Sequence, residues 1–257
     1  MFVKACNILR NCLDSHYLPD HIKAKHFAPQ KAKLETVDLF FCFPIILLHL
    51  SCLFVFWVGY SHTALFTLLA CYLIRMFAIT GFYHRYFSHK SFKTSRFWQF
   101  CFALLGCSAV QRGPLWWAAH HRHHHRYSDK EKDIHSPIQQ SFMWSHCKWI
   151  LSKHNFPVNQ KMIKDLVKYP ELIFLDRFDK IIPAAMFVFL YGLGAFLQSF
   201  VPSLGTSPWQ LVVWGFVLST VCLLHATFTI NSLSHLWGTR PYNTDDHSRN
   251  NFLLAII

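Results

Sequence analysis

The chain has 257 residues, of which 53% are hydrophobic and only 15% charged, with a positive mean hydropathy of +0.22. This balance excludes a disordered or highly charged soluble protein, and the length excludes a small disulfide scaffold. The formal charge of +12 sits beside apolar segments rather than within a nucleic-acid motif, so it is read as topology-setting charge, with no nucleic-acid partner.

Aromatic residues make up 17% of the chain, 26 of them Phe, a composition that suits lipid-facing or deeply buried surface. The nine cysteines form no CxxC pair, and several lie inside apolar runs, so they are expected to be reduced core residues. The 18 histidines are the outlier.

Residues 1–38 are polar and mixed. They are expected to form a cytoplasmic N-terminal segment without a cleavable signal, and the domain proper is expected over 39–257. A first membrane span is predicted over 39–60, whose 22 uncharged residues reach about 33 Å as a helix. After a break at Ser61-His62, a second span is predicted over 63–83. Its one charge, Arg75, is expected to snorkel or to be paired internally.

At the end of this span come His84 and His89, an HxxxxH pair. On an α-helix this spacing sets side chains about 140° apart, so the two meet one metal cluster only if the helix ends or bends there. The apolar stretch 97–117, broken by Gly106, Gln111, Arg112, Gly113 and Pro114, is expected to be an interfacial helix rather than a further crossing. Within the histidine run that follows, His121, His124 and His125 form HxxHH, and on a helix they project from one face toward adjacent metal ions. His120 and His123 are expected beside the ligands or at the surface, with a register through His120 and His124 left open. Asp129, Glu131 and Asp133 are expected to orient imidazoles or cap loops.

Residues 153–180 read as loop, with Pro157 and Pro170 as breaks. Spans three and four are predicted over 181–201 and 209–230, joined by a turn-like Pro/Ser/Gly stretch. Beyond them, Asn231 and His235 lie four apart on one helix face. Of the 25 Lys and Arg, 24 fall before the first span, between the second and third, or after the fourth, and none falls in either hairpin turn. The fold expected is therefore all-α: a polytopic membrane protein of four transmembrane helices in two hairpins. A cytoplasmic histidine-rich cap (84–180 and 231–257) gathers the clusters on one side, with both termini cytoplasmic. All-imidazole ligands suit iron, zinc or copper.

The stretches GFYHRYFSHKSFKTSR, QRGPLWWAAHHRHHHRYSDKEKDIHSP, RFDKIIP and NSLSHLWGTRPY, set in this layout, resemble the membrane fatty acid desaturases. The nearest group is the stearoyl-CoA (delta-9) acyl-CoA and acyl-lipid desaturases, bacterial more than animal. The resemblance covers nearly everything from Asp38 onward. It implies two non-haem irons held by histidines, O2 as oxidant and a fatty acyl chain in a bent internal tunnel lined by the second and fourth spans. It also implies an electron donor such as cytochrome b5 or ferredoxin. By position it makes His84, His89, His121, His124, His125 and His235 iron ligands, with Asn231 acting through a water. The membrane implied is a bacterial inner membrane, or endoplasmic reticulum in a eukaryote.

Two departures accompany the resemblance. The family's third HxxHH cluster would begin a few residues beyond 252–257, where this sequence stops, so three ligands that the resemblance implies are lacking and the domain is expected to be C-terminally incomplete; the lone His247 is expected at the surface. Ala119-His120 stand where animal members carry Arg-Asp for coenzyme A contacts. The alternatives are an inactive desaturase-like membrane protein and a related di-iron hydroxylase. A metal transporter would place its ligands at mid-span, where only His49 and His225 lie.

Overall fold

The computed structural model describes residues 14–15, 37 and 39–256, so the expected N-terminal segment lies almost wholly outside the described residues. Among the described residues the regular structure is helical, and the one β-type pairing is an isolated antiparallel bridge between Thr239 and Asn250. Three helices are long and apolar enough to cross a membrane: α2 (His62–Ser88), α6 (Ile181–Phe200) and α7 (Pro208–His235).

The segment expected as the first crossing forms α1 (Leu39–Ser51), continued through a tighter turn at Cys52–Phe54 to Val58. Its apolar helical stretch, Cys42–Val58, is shorter than the 22 residues expected. Gly59 ends it with φ +68°, a conformation a side chain resists. Ser61 then caps α2 by accepting from the Ala64 amide at 3.1 Å, so the chain turns at Gly59–Ser61 rather than at Ser61-His62.

The turn between α6 and α7 lies beside this one. Ser61 donates to the Gln210 carbonyl oxygen at 2.6 Å, and the Gln210 amide donates to Val58 O at 3.0 Å, so one buried glutamine ties the two hairpins together.

Arg75, midway along α2, is 1% exposed and does not snorkel. Its guanidinium donates to Cys71 O (3.0 Å), Ser108 O (3.2 Å) and Thr220 Oγ1 (2.7 Å), and also to Ser219 Oγ. A charge in a low-dielectric interior requires such partners. Here the arginine joins α2 and α7 to the end of α3 (Arg96–Cys107), through neutral oxygens rather than through a carboxylate.

At 12 residues α3 reaches about 18 Å, too short to cross, and it leaves Phe97, Trp98 and Leu105 exposed along its length. Gly106 lets α3 approach α2 closely, since a Cβ there would fall 1.8 Å from the Tyr83 ring. A strained loop follows, with Val110 at φ +60° and Arg112 at φ +71°. It leads into α4 (Pro114–Tyr127), whose first amides at Leu115 and Trp116 both donate to Asp176 Oδ1 at 2.8 Å.

That aspartate belongs to α5 (Pro170–Arg177), a helix within the stretch expected to be loop. A short terminal helix, α8 (Phe252–Ile256), ends the described chain. The main core gathers Ile79, Tyr83 and Phe87 of α2, Ala103 and Cys107 of α3, Leu115 and Ala118 of α4 and Leu172 and Leu175 of α5. It thus lies where the end of α2 meets α3, α4 and α5. The described cysteines are all free, as expected.

Candidate metal centre

The last turns of α2 are not α-helical. From Ala78 to Ser88 the backbone widens into a π-helix, and the His89 amide donates to His84 O at 3.0 Å, five residues back. In this wider coil residues five apart lie over one another, so the pair that an α-helix would splay is brought to one face. The two Nε2 atoms are 3.0 Å apart.

Helix α4 meets them from the other side. His121 Nε2 lies 3.0 Å from His89 Nε2, and the His125 ring sits 4.4 Å from that of His121 and 4.6 Å from that of His89. The ligand nitrogens of His84, His89, His121 and His125 all lie within 4.8 Å of one another. Burial holds the imidazoles of His121, His125 and His89 below the ordinary histidine range, His125 at about 4, and neighbouring positive charge adds to the shift. These rings are neutral at pH 7 and offer lone pairs.

The Trp116-Trp117 pair sets the register of α4. Each indole stacks on the imidazole four residues on, Trp116 on His120 at 4.2 Å and Trp117 on His121 at 4.7 Å. His120 is thereby buried away from the cluster, its Nδ1 bonded to Trp116 O at 2.9 Å, whereas His123 reaches Lys132 O at 2.8 Å. The structure favours the register through His121 and His125 over that through His120 and His124.

His124 and His235 stand next to this group, their ring centroids 5.6 Å apart. Each has its Nδ1 held by a carboxylate, His124 by both oxygens of Asp133 at 3.0 Å and His235 by Asp129 at 2.7 Å. Such a bond fixes the tautomer and leaves Nε2 as the ligand atom. Asp133 also lies within ligand distance of His124 and His135. Its oxygens, however, already accept from His124 and from the amides of Asp129 and His135, which marks it as an orienting group rather than a ligand. Glu131 has no such place.

Asn231 borders a cavity of about 30 Å³, together with Gln111, His121, His135 and Thr227, large enough for a water molecule. The cavity is also lined by Phe228 of α7 and by Trp116 and Trp117 at the start of α4. His247 lies near the surface, where its amide donates to Asp129 at 2.8 Å.

Sequence reasoning passed over Arg122, inside the histidine run. It donates to Phe87 O (2.6 Å) and Ser88 O (3.0 Å) at the end of α2, and it pairs with Asp165 at 2.7 Å. It bolts the strand of chain bearing His84 and His89 to α4. The signal was present as an arginine among ligands, a donor with five N–H groups and no capacity to bind metal.

The donor set fits a metal ion. His89 Nε2 faces two other ring nitrogens at 3.0 Å, and one nitrogen carries at most one hydrogen, so the cluster is not closed by hydrogen bonds among its members. A cation accepts all the lone pairs together. Neutral imidazoles of this kind suit iron, zinc and copper.

A family model described as "Fatty acid desaturase" matches residues 60–257. The chain is 34% identical over 239 residues to an acyl-CoA C20 Delta5-desaturase of Anemone leveillei, covering 88% of this chain and 69% of that protein. It is 34% identical to an sn-2 palmitoyl-lipid 9-desaturase of Nostoc sp. (strain 36), covering 68% and 58%. With a probable chloroplastic lipid desaturase of Arabidopsis thaliana it shares 35% identity over 70% of this chain and 46% of that one. The chain thus spans between about half and 70% of the length of these relatives.

Proposed function

The chain belongs to the fatty acid desaturase family, and from that premise we propose that it introduces a cis double bond, at the delta-9 position, into a saturated acyl chain using O2. The observation that carries this reading is the convergence of His84, His89, His121 and His125 at the joined ends of α2 and α4.

We assign these four as ligands of one iron, and His124 and His235 as ligands of a second, with Asn231 acting through a water. Bound iron supplies the O2-dependent oxidation that breaks two unactivated C–H bonds, chemistry beyond the reach of side-chain acids and bases. The chain's own part is to position and shield. Asp129 and Asp133 hold Nδ1 of their imidazoles and so leave Nε2 as the ligand atom, Arg122 holds the two histidine-bearing segments in register, and Trp117, stacked on His121, walls the cluster on the α4 side.

The proposed topology has four crossings, α1 among them, with both termini and the cap in the cytoplasm. The basic cap is then the docking face for an electron donor such as cytochrome b5 or a ferredoxin, in a bacterial inner membrane or endoplasmic reticulum. Names of the relatives include both acyl-CoA and acyl-lipid desaturases and both delta-5 and delta-9 positions, so stearoyl-CoA is the first substrate to assay and acyl-lipid the second.

One observation favours a second reading, an inactive desaturase-like membrane protein: among the described residues, the four-imidazole group of His84, His89, His121 and His125 has no counterpart of four at the second position, where His124 lies beside His235 and stacks on His135. The fatty-acid profile of a desaturase-deficient host accumulating this chain, with a compatible donor supplied, decides between them. A new delta-9 monounsaturated acid supports the proposal. A profile identical to the empty-vector host, with the protein in the membrane, supports the inactive reading.

A further inference from the structure

Three histidines outside the metal centre form a second assembly. His49 on α1, His225 on α7 and His146 in the cap segment Trp144–Lys148 come from three separate elements. They do not converge. His49 Nδ1 contacts Ile45 O at 2.6 Å, His49 Nε2 contacts His225 Nε2 at 2.9 Å, and His225 Nδ1 contacts His146 Nε2 at 3.1 Å. His146 Nδ1 contacts Ser232 Oγ at 3.0 Å, and Ser232 Oγ donates to Phe228 O at 2.9 Å. The nitrogens at the metal centre face one another in a group, whereas here each faces one partner in a line.

A hydrogen count gives the line a property. It has five contacts and two carbonyl ends that only accept, so closing every contact requires five hydrogens. Three neutral imidazoles and one hydroxyl supply four. We propose that the His49–His225–His146 chain binds one excess proton, shared among its three rings, and serves as a proton store beside the candidate metal centre. The titratable groups on the elements packed around it include Cys42 of α1, Cys52 of the turn after it, Cys71, Tyr72 and Arg75 of α2, Cys147 and Lys148 of the cap segment and Cys222 of α7 itself. None is a carboxylate, so the fifth contact, rather than an ion pair, favours the charge. Burial works against it and holds His146 below the ordinary histidine range.

The store ends next to the chemistry. Ser145, adjacent to His146, donates to Asn231 O at 3.0 Å, and Asn231 borders the cavity that His121 also lines. Its use rests on the desaturase reading. Converting RCH2CH2R′ and O2 to RCH=CHR′ and two waters takes up two electrons from the donor and two protons from the protein side.

The test is 15N NMR of histidine side chains in the full chain in lipid nanodiscs, titrated without added metal. The chain predicts one protonation that moves the His49, His225 and His146 resonances with a common midpoint. Ser232→Ala removes two contacts and one hydrogen, and His49→Phe does the same from the other end. Either variant closes the count without a charge, so the shared midpoint drops by at least one pH unit, and Ser232→Thr restores it. Three unlinked midpoints, or a midpoint unmoved in both Ser232→Ala and His49→Phe, would overturn the proposal. Because this readout needs neither iron nor turnover, its failure is distinct from failure of the desaturase reading. The supply role is contradicted separately if His49→Phe, in an active enzyme, turns over at the wild-type rate across pH 6 to 8.

Discussion

Asp129 and His235, 106 residues apart in sequence, meet at 2.7 Å between Oδ2 and Nδ1. Asp129 adopts φ +56°, which an aspartate tolerates, and from there its carboxylate also receives Ser136 Oγ at 2.5 Å and the His247 amide at 2.8 Å. Burial raises its carboxyl, but these hydrogen bonds outweigh burial and hold it well below the carboxylate range. The end of α7 is thus fastened to the loop after α4 by one ionised group. Asp129→Asn, which keeps the shape and loses the charge, is expected to lower metal affinity about 10- to 100-fold, as read by metal titration of the purified protein.

Gly106 and Tyr83 touch so closely that an alanine at 106 forces the ring aside, and Tyr83 immediately precedes His84. Gly106→Ala is expected to destabilise by roughly 1–3 kcal/mol and to lower metal occupancy together with stability. Thermal unfolding alongside metal analysis reads both. Full occupancy in a destabilised variant would separate the α2–α3 contact from the site.

Arg75 donates four hydrogen bonds from a buried position, and Arg75→Ala leaves a cavity and several unpartnered oxygens. The expected loss is on the order of 2–4 kcal/mol. Arg75→Lys keeps the charge without the planar fork and falls between the two. Chemical unfolding in detergent measures the order of the three.

The Arg122–Asp165 pair carries an acid dependence. Burial raises the Asp165 carboxyl, and Arg122 and Lys90 together outweigh it, so its folded value lies below the unfolded value of about 3.9. The clamp therefore contributes fully above pH 4 and is lost as pH falls further through the folded value. Asp165→Asn is expected to be less stable than wild type at pH 7 and to show a flatter loss as the pH falls below about 4, measured by unfolding at each pH.

How far the sequence reached differs between the two helices of the centre. On α4 the three and four spacing of His121, His124 and His125 is enough, because that segment is an ordinary α-helix. On α2 the spacing of His84 and His89 calls only for a helix that ends or bends there, and hydrophobic pattern does not report the change of helical pitch that supplies it. Along the π-helical stretch Tyr83 packs against Gly106 and Arg122 holds Phe87 and Ser88, contacts set by tertiary structure. The carboxylate partners of His124 and His235 were legible only as acidic residues near a histidine run. The short helix α5 lies in a stretch that reads as loop, because Pro170 stands at a helix start there and not at a break. The Trp116-Trp117 pair carried its message in plain spacing, four residues ahead of His120 and His121.

His84, His89, His121 and His125 are expected to act as one metal site, and iron content per chain tests this most directly. Protein purified from iron-replete cells should carry iron, while His84→Ala and His121→Ala, each folded by circular dichroism, should lose it. Iron retained undiminished in both variants, or absent from a folded wild-type protein, would contradict the assignment.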